Sequence, residues 1–295
     1  LEAENALGLR ILKGIRQSSL DSASELRLRG GYGSEMLWFG AVKLFADGAL
    51  GPQTAAMLAP YEGTDHSLGM ALLTAEEIFE IGKQAAQSRL GLAIHAIGDN
   101  ANRIVLDGYA KLRKWEKETG HPHLRHRIEH VQVLHPEDLG RLAELEIIAS
   151  MQPIHATSDM EIADRYWGSR AALAYAFQSL LQSGARLSFG SDAPVESPNP
   201  FWGIHAAVTR RRMNGKPGPD GWRGEQRLNL QDALDAYTTG PAFAAGRENW
   251  LGQISPGFAA DLIVLPLDPA TMPPENLYTV QPDATMVNGN WVWSR

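Results

Sequence analysis

The stretch TAEEIFEIGKQAAQSRLGLAIHAIGD, residues 74–99, joins an amphipathic segment directly to an apolar one and thereby decides the fold class. Thr74 and Glu77 have the spacing of a capping box, which is typical of a helix start. The apolar residues that follow recur on one helical face until a glycine ends the segment. The pattern predicts a helix over residues 74–91 and a strand over residues 92–99.

The same alternation continues along the chain. Further strands are predicted over residues 41–48, 126–133, 147–153 and 186–192, and further helices over residues 100–118, 170–184, 201–212 and 230–240. No hairpin signal separates these segments, which indicates parallel βα units. Units of about 30 residues each favour an α/β fold, either a (β/α)8 TIM-type barrel or a doubly wound sheet.

The pattern of the sequence changes after residue 250. Residues 257–267 read as a short strand, and Asn-Gly at positions 288–289 indicates a tight turn between antiparallel strands. We therefore predict a barrel domain over residues 1–250 and a small β-strand portion over residues 251–295.

Composition argues against several classes of protein. The chain has 295 residues, of which 44% are hydrophobic, so it is long enough to bury a large core. Its formal charge is −7, and the one basic cluster, Arg210 to Arg212, is predicted to be a solvated helix end, so no nucleic-acid partner is expected. No membrane partner is expected either, because the sequence has no apolar run of about 18 residues. Cytoplasmic residence is the default expectation. Without cysteine, a metal ion would need His, Asp, Glu or a modified Lys.

Four predicted strands carry a polar side chain within or at the end of an otherwise apolar run, namely Lys43, His95, His130 and Asp192. Taken singly, each has a structural explanation. A strand histidine can be a hydrogen-bonded core residue, Lys43 can reach solvent, and Asp192 can cap the next helix. In a parallel barrel, however, the carboxyl ends of the strands converge on one face, where active sites lie. The recurrence on successive units favours one shared site.

These residue types suit a divalent metal such as zinc. Neutral imidazoles and carboxylates are zinc ligands, and a metal-activated water is a strong nucleophile near neutral pH. A carboxylate beside that water can act as the general base. An unmodified lysine ammonium would repel the ion, so Lys43 has to be deprotonated or chemically altered to take part.

Six segments carry a resemblance to a known family over nearly the entire chain, in family order. They are VKLFADGALGPQTAAM, LAIHAIGDNANRIVLDGY, RHRIEHVQVLHPED, ASMQPIHATSDM, FGSDAPVESPNPFWGIHAAVTRR and DALDAYTTGPAFAAGRENWLGQISPGFAADLIVLPLD. The chain resembles the amidohydrolase superfamily, specifically its amidohydrolase-3 (YtcJ-like) branch. The resemblance implies a distorted TIM barrel with a small β domain, and metal-dependent hydrolysis of C–N bonds in amides, formamides or cyclic amides.

The resemblance also implies roles for the four residues. Lys43 matches a lysine that can be carbamylated, so that its added carboxylate bridges two metals. His95 and His130 match the metal ligands of the next two strands. Asp192 matches the aspartate that contacts the metal and serves as the proton shuttle.

The chain departs from the family at its amino-terminal side. The family places two further ligands in a His-x-His on the first strand, whereas His121-Pro122-His123 lies where a polar loop is predicted. Only 42 residues precede Lys43, which is room for one βα unit and not three. We therefore expect an incomplete barrel that lacks part of the metal cage and whose open strand edge favours a homo-oligomer.

The sequence thus predicts a metal-dependent amidohydrolase that uses one or two zinc ions on a small amide-type substrate. Two alternatives stay open: hydrolysis of another bond, such as a phosphoester, on the same site, and a truncated product without turnover. Asp47, Asp99 and Gln152 also follow predicted strands, where they would either contact substrate or form turns and helix caps.

Overall fold

Six strands form the main sheet of the computed structural model, which describes residues 2–4 and 7–295. The strands are β1 (Ile11–Arg16), β2 (Leu37–Phe45), β3 (Leu92–Ala96), β4 (Arg127–His130), β5 (Ile148–Met151) and β6 (Leu187–Phe189). They pair in chain order, and every neighbouring pair is parallel. Because residues 1, 5 and 6 lie outside the described residues, so does the predicted start of the first domain at residue 1.

Helices follow the strands and connect each one to the next. They are α1 (Leu20–Glu25), α2 (Ala75–Gln87), α3 (Asp99–Thr119), α4 (Arg141–Glu144), α5 (Pro153–Trp167), α6 (Phe177–Gln182), α7 (Pro200–Thr209), α8 (Leu230–Tyr237) and α9 (Thr239–Ala244). Across the described part of the chain, none of these helices is both long and apolar enough to cross a membrane.

This arrangement is a partial (β/α) barrel, which confirms the predicted fold class. Parallel strands in chain order need a crossover between each pair, and the helices provide it. Strand β1 and helix α1 form the single βα unit that was expected before Lys43. Within the described residues, β1 and β6 are the outer strands of the sheet.

The register of the strands decides which side chains share a face. Phe45 aligns with His95, His95 with Glu129, Glu129 with Ser150, and Ser150 with Ser188. Side chains in register on parallel strands point to the same side of a sheet, so this row lies along its inner face. The alternate positions carry buried apolar side chains that pack under the helices, among them Val42, Leu44, Leu92 and Ile94.

Helix α2 confirms the predicted capping box and corrects the predicted helix end. The backbone N–H of Glu77 donates to Thr74 Oγ1 at 3.2 Å, and the Thr74 N–H donates to Glu77 Oε2 at 2.8 Å. The helix ends at Gln87, four residues before the predicted end, and Arg89 takes the left-handed conformation with φ 53°. A non-glycine residue in this conformation is uncommon, which is why the sequence indicated the later glycine.

The prediction for residues 153–184 was wrong in two respects. Residues 153–167 form helix α5, which starts at Pro153 and was not predicted. The predicted helix over 170–184 is divided, because Tyr175 has φ 51° and its backbone N–H donates to the Gln132 carbonyl. Only the second part of that segment is α-helix, namely α6.

Arg210 also differs from the prediction, because it is fully buried and not part of a solvated helix end. Its guanidinium donates to the carbonyl oxygens of Trp222 at 2.9 Å and Tyr175 at 3.1 Å, and it lies 5.1 Å from the ring centroid of Phe177. Burial lowers the pKa of Arg210 to about 9. The side chain therefore holds two loops together and is not part of a basic surface.

A separate antiparallel sheet follows the helices, formed by β7 (Leu262–Val264), β8 (Ala284–Val287) and β9 (Asn290–Ser294). Asn288 and Gly289 connect the last two strands with φ 51° and 77°. Positive φ at both positions is typical of the turn that an Asn-Gly pair predicts. The small C-terminal β portion is thereby confirmed as a structural element.

The segment after β2 packs against the start of α3 with no spare room. The Ala56 carbonyl accepts hydrogen bonds from the backbone N–H groups of Asn100 at 3.1 Å and Ala101 at 3.3 Å. A Cβ added to Gly98 would lie 1.9 Å from this carbonyl oxygen. Position 98 therefore needs glycine for steric reasons.

We expect Gly98→Ala to lower the free energy of unfolding by about 3 kcal/mol, since the backbone must move to relieve the overlap. Urea unfolding followed by circular dichroism measures this. Gly51→Ala is the matched control, because a Cβ there would meet nothing within 4 Å. Equal stability of the two variants would contradict the steric explanation.

Candidate metal centre

The structure places the predicted site residues at the carboxyl side of the sheet. Lys43 lies near the end of β2 and His95 near the end of β3. His130 is the last residue of β4, and Asp192 follows β6 by three residues. Because all these strands run in one direction, the four side chains belong to the same edge of the partial barrel.

His95 and His130 lie side by side. Their ring centroids are 4.7 Å apart, and the rings meet edge to face at 73°. The His95 Nε2 lies 2.8 Å from the Gly48 carbonyl oxygen. A carbonyl only accepts hydrogen bonds, so Nε2 carries the proton and Nδ1 keeps a free lone pair.

His130 has the complementary arrangement. Its Nδ1 lies 2.8 Å from Gln152 Oε1, so Nδ1 donates and Nε2 keeps the lone pair. His130 and Val131 have φ 80° and 44°, two successive residues in the left-handed region. Such backbone strain is found at functional sites, and here it turns the chain sharply at the end of β4.

Both imidazoles are neutral at neutral pH. Burial lowers the pKa of His95 to about 4 and, in the same way, lowers the pKa of His130 to about 4. The nearby cation of Lys43 acts in the same direction on both rings. Two neutral rings with free lone pairs are in the state in which histidine binds metal ions.

Asp47 lies behind His95 and anchors the segment that carries Gly48. Its carboxylate accepts the backbone N–H groups of Ala56 at 2.9 Å, Ile97 at 3.0 Å and Gly98 at 2.8 Å. Burial raises the pKa of Asp47 to about 7, although these three hydrogen bonds lower it. Asp47 therefore links the segment after β2 to the end of β3 and does not act as the helix cap that the sequence left open.

Asp99 and Gln152, the other two polar residues that follow predicted strands, act as structural links. Asp99 Oδ1 accepts the backbone N–H of Leu58 at 2.8 Å, while the residue that precedes α3 as its N-cap is Gly98. Gln152 precedes α5 and holds the His130 ring, as described above. Partners of this kind orient metal-binding histidines in known sites.

Lys43 points to the inner face of the sheet, with its Nζ 4.9 Å from the Phe45 ring centroid. Burial lowers its pKa, whereas the negative charges of Glu129 and Asp192 raise it. Glu129 also pairs with Arg127, whose Nε donates to Glu129 Oε1 at 2.6 Å. The lysine thus lies in a charged environment in which burial favours the neutral amine.

Asp192 is less tightly held than the other three. Its side chain is 39% exposed, its backbone has φ 59°, and Oδ2 lies 3.9 Å from Nε2 of His155. It does not cap the following helix, because the N-cap of α7 is Asn199. Asp192 therefore stands at the rim of the site with its carboxylate open to solvent.

The donor set fits a metal ion only in part. Neutral imidazole nitrogens and a carboxylate are suitable ligands for zinc, which binds nitrogen at about 2.0–2.1 Å. Within residues 2–4 and 7–295, however, no three His, Asp or Glu side chains come together in a group that could hold an ion. A third ligand would have to come from Lys43 or from a movement of Asp192.

His121 and His123 take no part in this group, as the sequence indicated. They lie in the loop between α3 and β4, at the amino end of the sheet. The His121 ring is 4.2 Å from that of Trp115, and His123 Nε2 lies 3.6 Å from Glu146 Oε2. The prediction of a polar loop is confirmed.

Two residues of the site were not recognised in the sequence. His155, in the first turn of α5, stacks 6.1 Å from His130, and Gln132 lies beside it. A signal for His155 was present, because it lies four residues after the end of a strand, much as Asp192 does. It was missed because the helix that begins at residue 153 was not predicted.

Sequence comparison assigns this partial (β/α) barrel to a known family. A family profile described as "Amidohydrolase family" matches residues 1–293, and the chain belongs to that family. It is 34% identical to YtcJ of Bacillus subtilis (strain 168), over 87% of this chain and 47% of the relative. It is 30% identical to an N-substituted formamide deformylase of Arthrobacter pascens, over 87% of this chain and 46% of the relative.

A solved structure gives the same result. An uncharacterized metal-dependent hydrolase from Pyrococcus horikoshii OT3 superposes with a TM-score of 0.81 and 32% identity, over 92% of this chain and 53% of the other. The chain thus spans about half the length of the relatives that it matches. The predicted family is confirmed.

We expect acid to destabilise the protein through His95 and His130. Their folded-state pKa of about 4 lies below the ordinary value of 6.5, so the unfolded chain binds protons first as the pH falls. Stability that is present above pH 6.5 is lost between pH 6.5 and 4, on the order of 3 kcal/mol for each ring.

Urea unfolding between pH 7.5 and 4 measures this loss. In His95→Gln and in His130→Gln, the free energy of unfolding should decrease less over this pH range than in the unmodified protein. In His66→Gln, at an exposed position, it should decrease as much as in the unmodified protein. The same decrease in all four proteins would contradict the assignment.

Proposed function

We propose that the chain carries the catalytic half-barrel of an amidohydrolase that cleaves non-peptide C–N bonds, with N-substituted formamides as the substrate class. The observation that carries this proposal is the pair of neutral imidazoles, His95 and His130, each with a free ring nitrogen at the carboxyl end of the barrel. The relative from Arthrobacter pascens supports the substrate class through its name.

The proposed metal ligands are His95, His130, Asp192 and a carbamylated Lys43, and the proposed ion is zinc, in one or two copies. Such an ion supplies a Lewis acid that activates water and polarises a carbonyl. Carbamylation would turn the lysine into an anion and remove the repulsion between ammonium and metal. The burial that favours the neutral amine of Lys43 supports this modification, because only the neutral amine reacts.

Asp192 is proposed as the residue that moves the proton. Its carboxylate is exposed at the rim, where both a water molecule and the leaving nitrogen of a small amide can reach it. It would take the proton from the attacking water and pass it to that nitrogen, as a general base and then a general acid. Gly48 and Gln152 would keep the two imidazoles in the tautomers that bind metal.

Metal content and turnover of the purified protein test the proposal. After growth with zinc and incubation with bicarbonate, we expect about one zinc per chain by mass spectrometry and formate release from N-butylformamide. Asp192→Asn should lower kcat by about 10²–10⁴-fold, because the proton acceptor is lost.

His66→Gln, at an exposed position, is the control and should keep both zinc and activity. Fewer than about 0.1 zinc per chain together with no turnover would support a non-catalytic half-barrel instead. Hydrolysis of a phosphotriester such as paraoxon, without formamide turnover, would favour the other bond class.

We also propose that the chain forms a homo-oligomer through the open side of the sheet. A groove of about 720 Å³ lies between the main sheet and the C-terminal sheet, lined largely by apolar side chains such as Trp38, Ile263 and Met286. Trp291 and Trp293 are 57% and 45% exposed on the neighbouring strand. Exposed apolar surface and an unpaired strand edge both favour association.

Light scattering after size-exclusion chromatography tests this proposal. We expect a mass of at least twice 32.2 kDa at micromolar concentration. Trp291→Lys and Trp293→Lys together should shift the protein towards monomer, whereas Leu26→Lys, at an exposed position at the end of α1, should not. A stable monomer in all cases would contradict the proposal. The division at residue 250 and cytoplasmic residence stay predictions of the sequence.

A further inference from the structure

His155 contains a buried polar atom that the proposed chemistry does not use. The residue is 8% exposed, and its Nε2 is buried without a hydrogen-bond partner. Native structures leave few buried polar atoms unpaired, because each one loses its hydration without compensation. An unpaired ring nitrogen beside a candidate metal centre therefore indicates an interaction that is incomplete in this conformation.

The neighbours of His155 determine which ring nitrogen carries the proton. The amide Nε2 of Gln132 lies 3.5 Å from Nδ1 of His155 and can only donate, so Nδ1 has the lone pair. The proton then belongs on Nε2. On that side of the ring, the carboxylate oxygen Oδ2 of Asp192 lies 3.9 Å away and can only accept.

The gap between these two atoms is small compared with the freedom of Asp192. A hydrogen bond of this type needs about 2.7–2.9 Å, so the carboxylate has to move by about 1 Å. His155 is fixed by burial and by its stack with His130, whereas the side chain of Asp192 is 39% exposed. The carboxylate, and not the imidazole, is the partner that can move.

We infer that His155 is a positioning residue for Asp192, whose carboxylate accepts the Nε2–H of His155 through Oδ2, while Gln132 keeps the ring in the required tautomer. The other carboxylate oxygen of Asp192, Oδ1, then stays available for the roles proposed for this residue. The inference rests on the proposed function, in which Asp192 contacts the metal and moves the proton. It adds a residue on β5–α5, the unit in which the sequence indicated no ligand.

Zinc affinity measured with a competing fluorescent chelator tests the inference without requiring turnover. Loss of a hydrogen bond that orients a ligand should weaken zinc binding about 10–100-fold in His155→Phe. His155→Gln keeps an N–H donor and should stay within about 3-fold of the unmodified protein. His155→Leu is a second variant without a donor, in case phenylalanine does not fit. Exposed His66→Phe is the control and should change nothing.

A double-mutant cycle shows whether His155 acts through Asp192. In the Asp192→Ala background, His155→Phe should cause no further loss of zinc affinity, because the group that it orients is gone. If the protein turns over N-butylformamide, His155→Phe should lower kcat by about 10–100-fold with less than about a 2-fold change in KM. A merely structural role of His155 would not lower kcat while leaving KM nearly unchanged.

The outcomes separate this inference from the proposed function. Unchanged zinc affinity in both His155→Phe and His155→Leu would overturn it. So would equal losses in His155→Gln and His155→Phe that persist in the Asp192→Ala background, because His155 would then be a metal ligand itself. The expected zinc pattern without any formamide turnover would keep the inference and overturn the proposed reaction. Absence of zinc binding by the unmodified protein would overturn both.

Discussion

The carboxylate of Asp47 is the interaction on which the geometry of the site depends. It accepts three backbone N–H groups, one from the segment after β2 and two from the end of β3. By joining these two loops, it keeps the Gly48 carbonyl against the ring of His95. The position of the first imidazole therefore follows from a buried carboxylate that is not itself in the proposed metal cage.

Burial and charge act against each other across this site. A buried cation or anion loses hydration, which lowers the pKa of the histidines and raises that of Asp47. Lys43 experiences the same loss together with the attraction of Glu129 and Asp192. The result is an inner face whose imidazoles are neutral beside a lysine whose pKa is lowered by burial. In the proposed site, a metal ion would add positive charge to this face.

The half-barrel form explains why the site is only partly assembled. Six strands in chain order bring the carboxyl ends of β2, β3, β4 and β6 to one edge, yet within the described residues the imidazole pair has no third His, Asp or Glu ligand. The open side of the sheet and the shortage of ligands are two aspects of one geometry, since a closed barrel places ligands from all its strands around one axis.

The alternation of apolar strands with amphipathic helices was sufficient to predict the fold class, the small C-terminal sheet and the strand positions of Lys43, His95 and His130. These features depend on local periodicity, which neighbouring residues display directly. The early end of α2 and the burial of Arg210 could not be predicted, because the first involves a left-handed residue and the second involves carbonyls supplied by distant segments. Helix α5 was missed although Pro153 at its start is typical of a first helical position.

The role of Gln152, the anchoring by Asp47 and the place of His155 beside Asp192 were decided only in the tertiary structure. In each case a side chain meets a partner from another βα unit. The sequence by itself thus determined which residues could bind a metal, whereas only the tertiary structure decided which ring nitrogens are free to do so. Hydrogen-bond partners across strands set the tautomer of a histidine, and those partners are far apart along the chain.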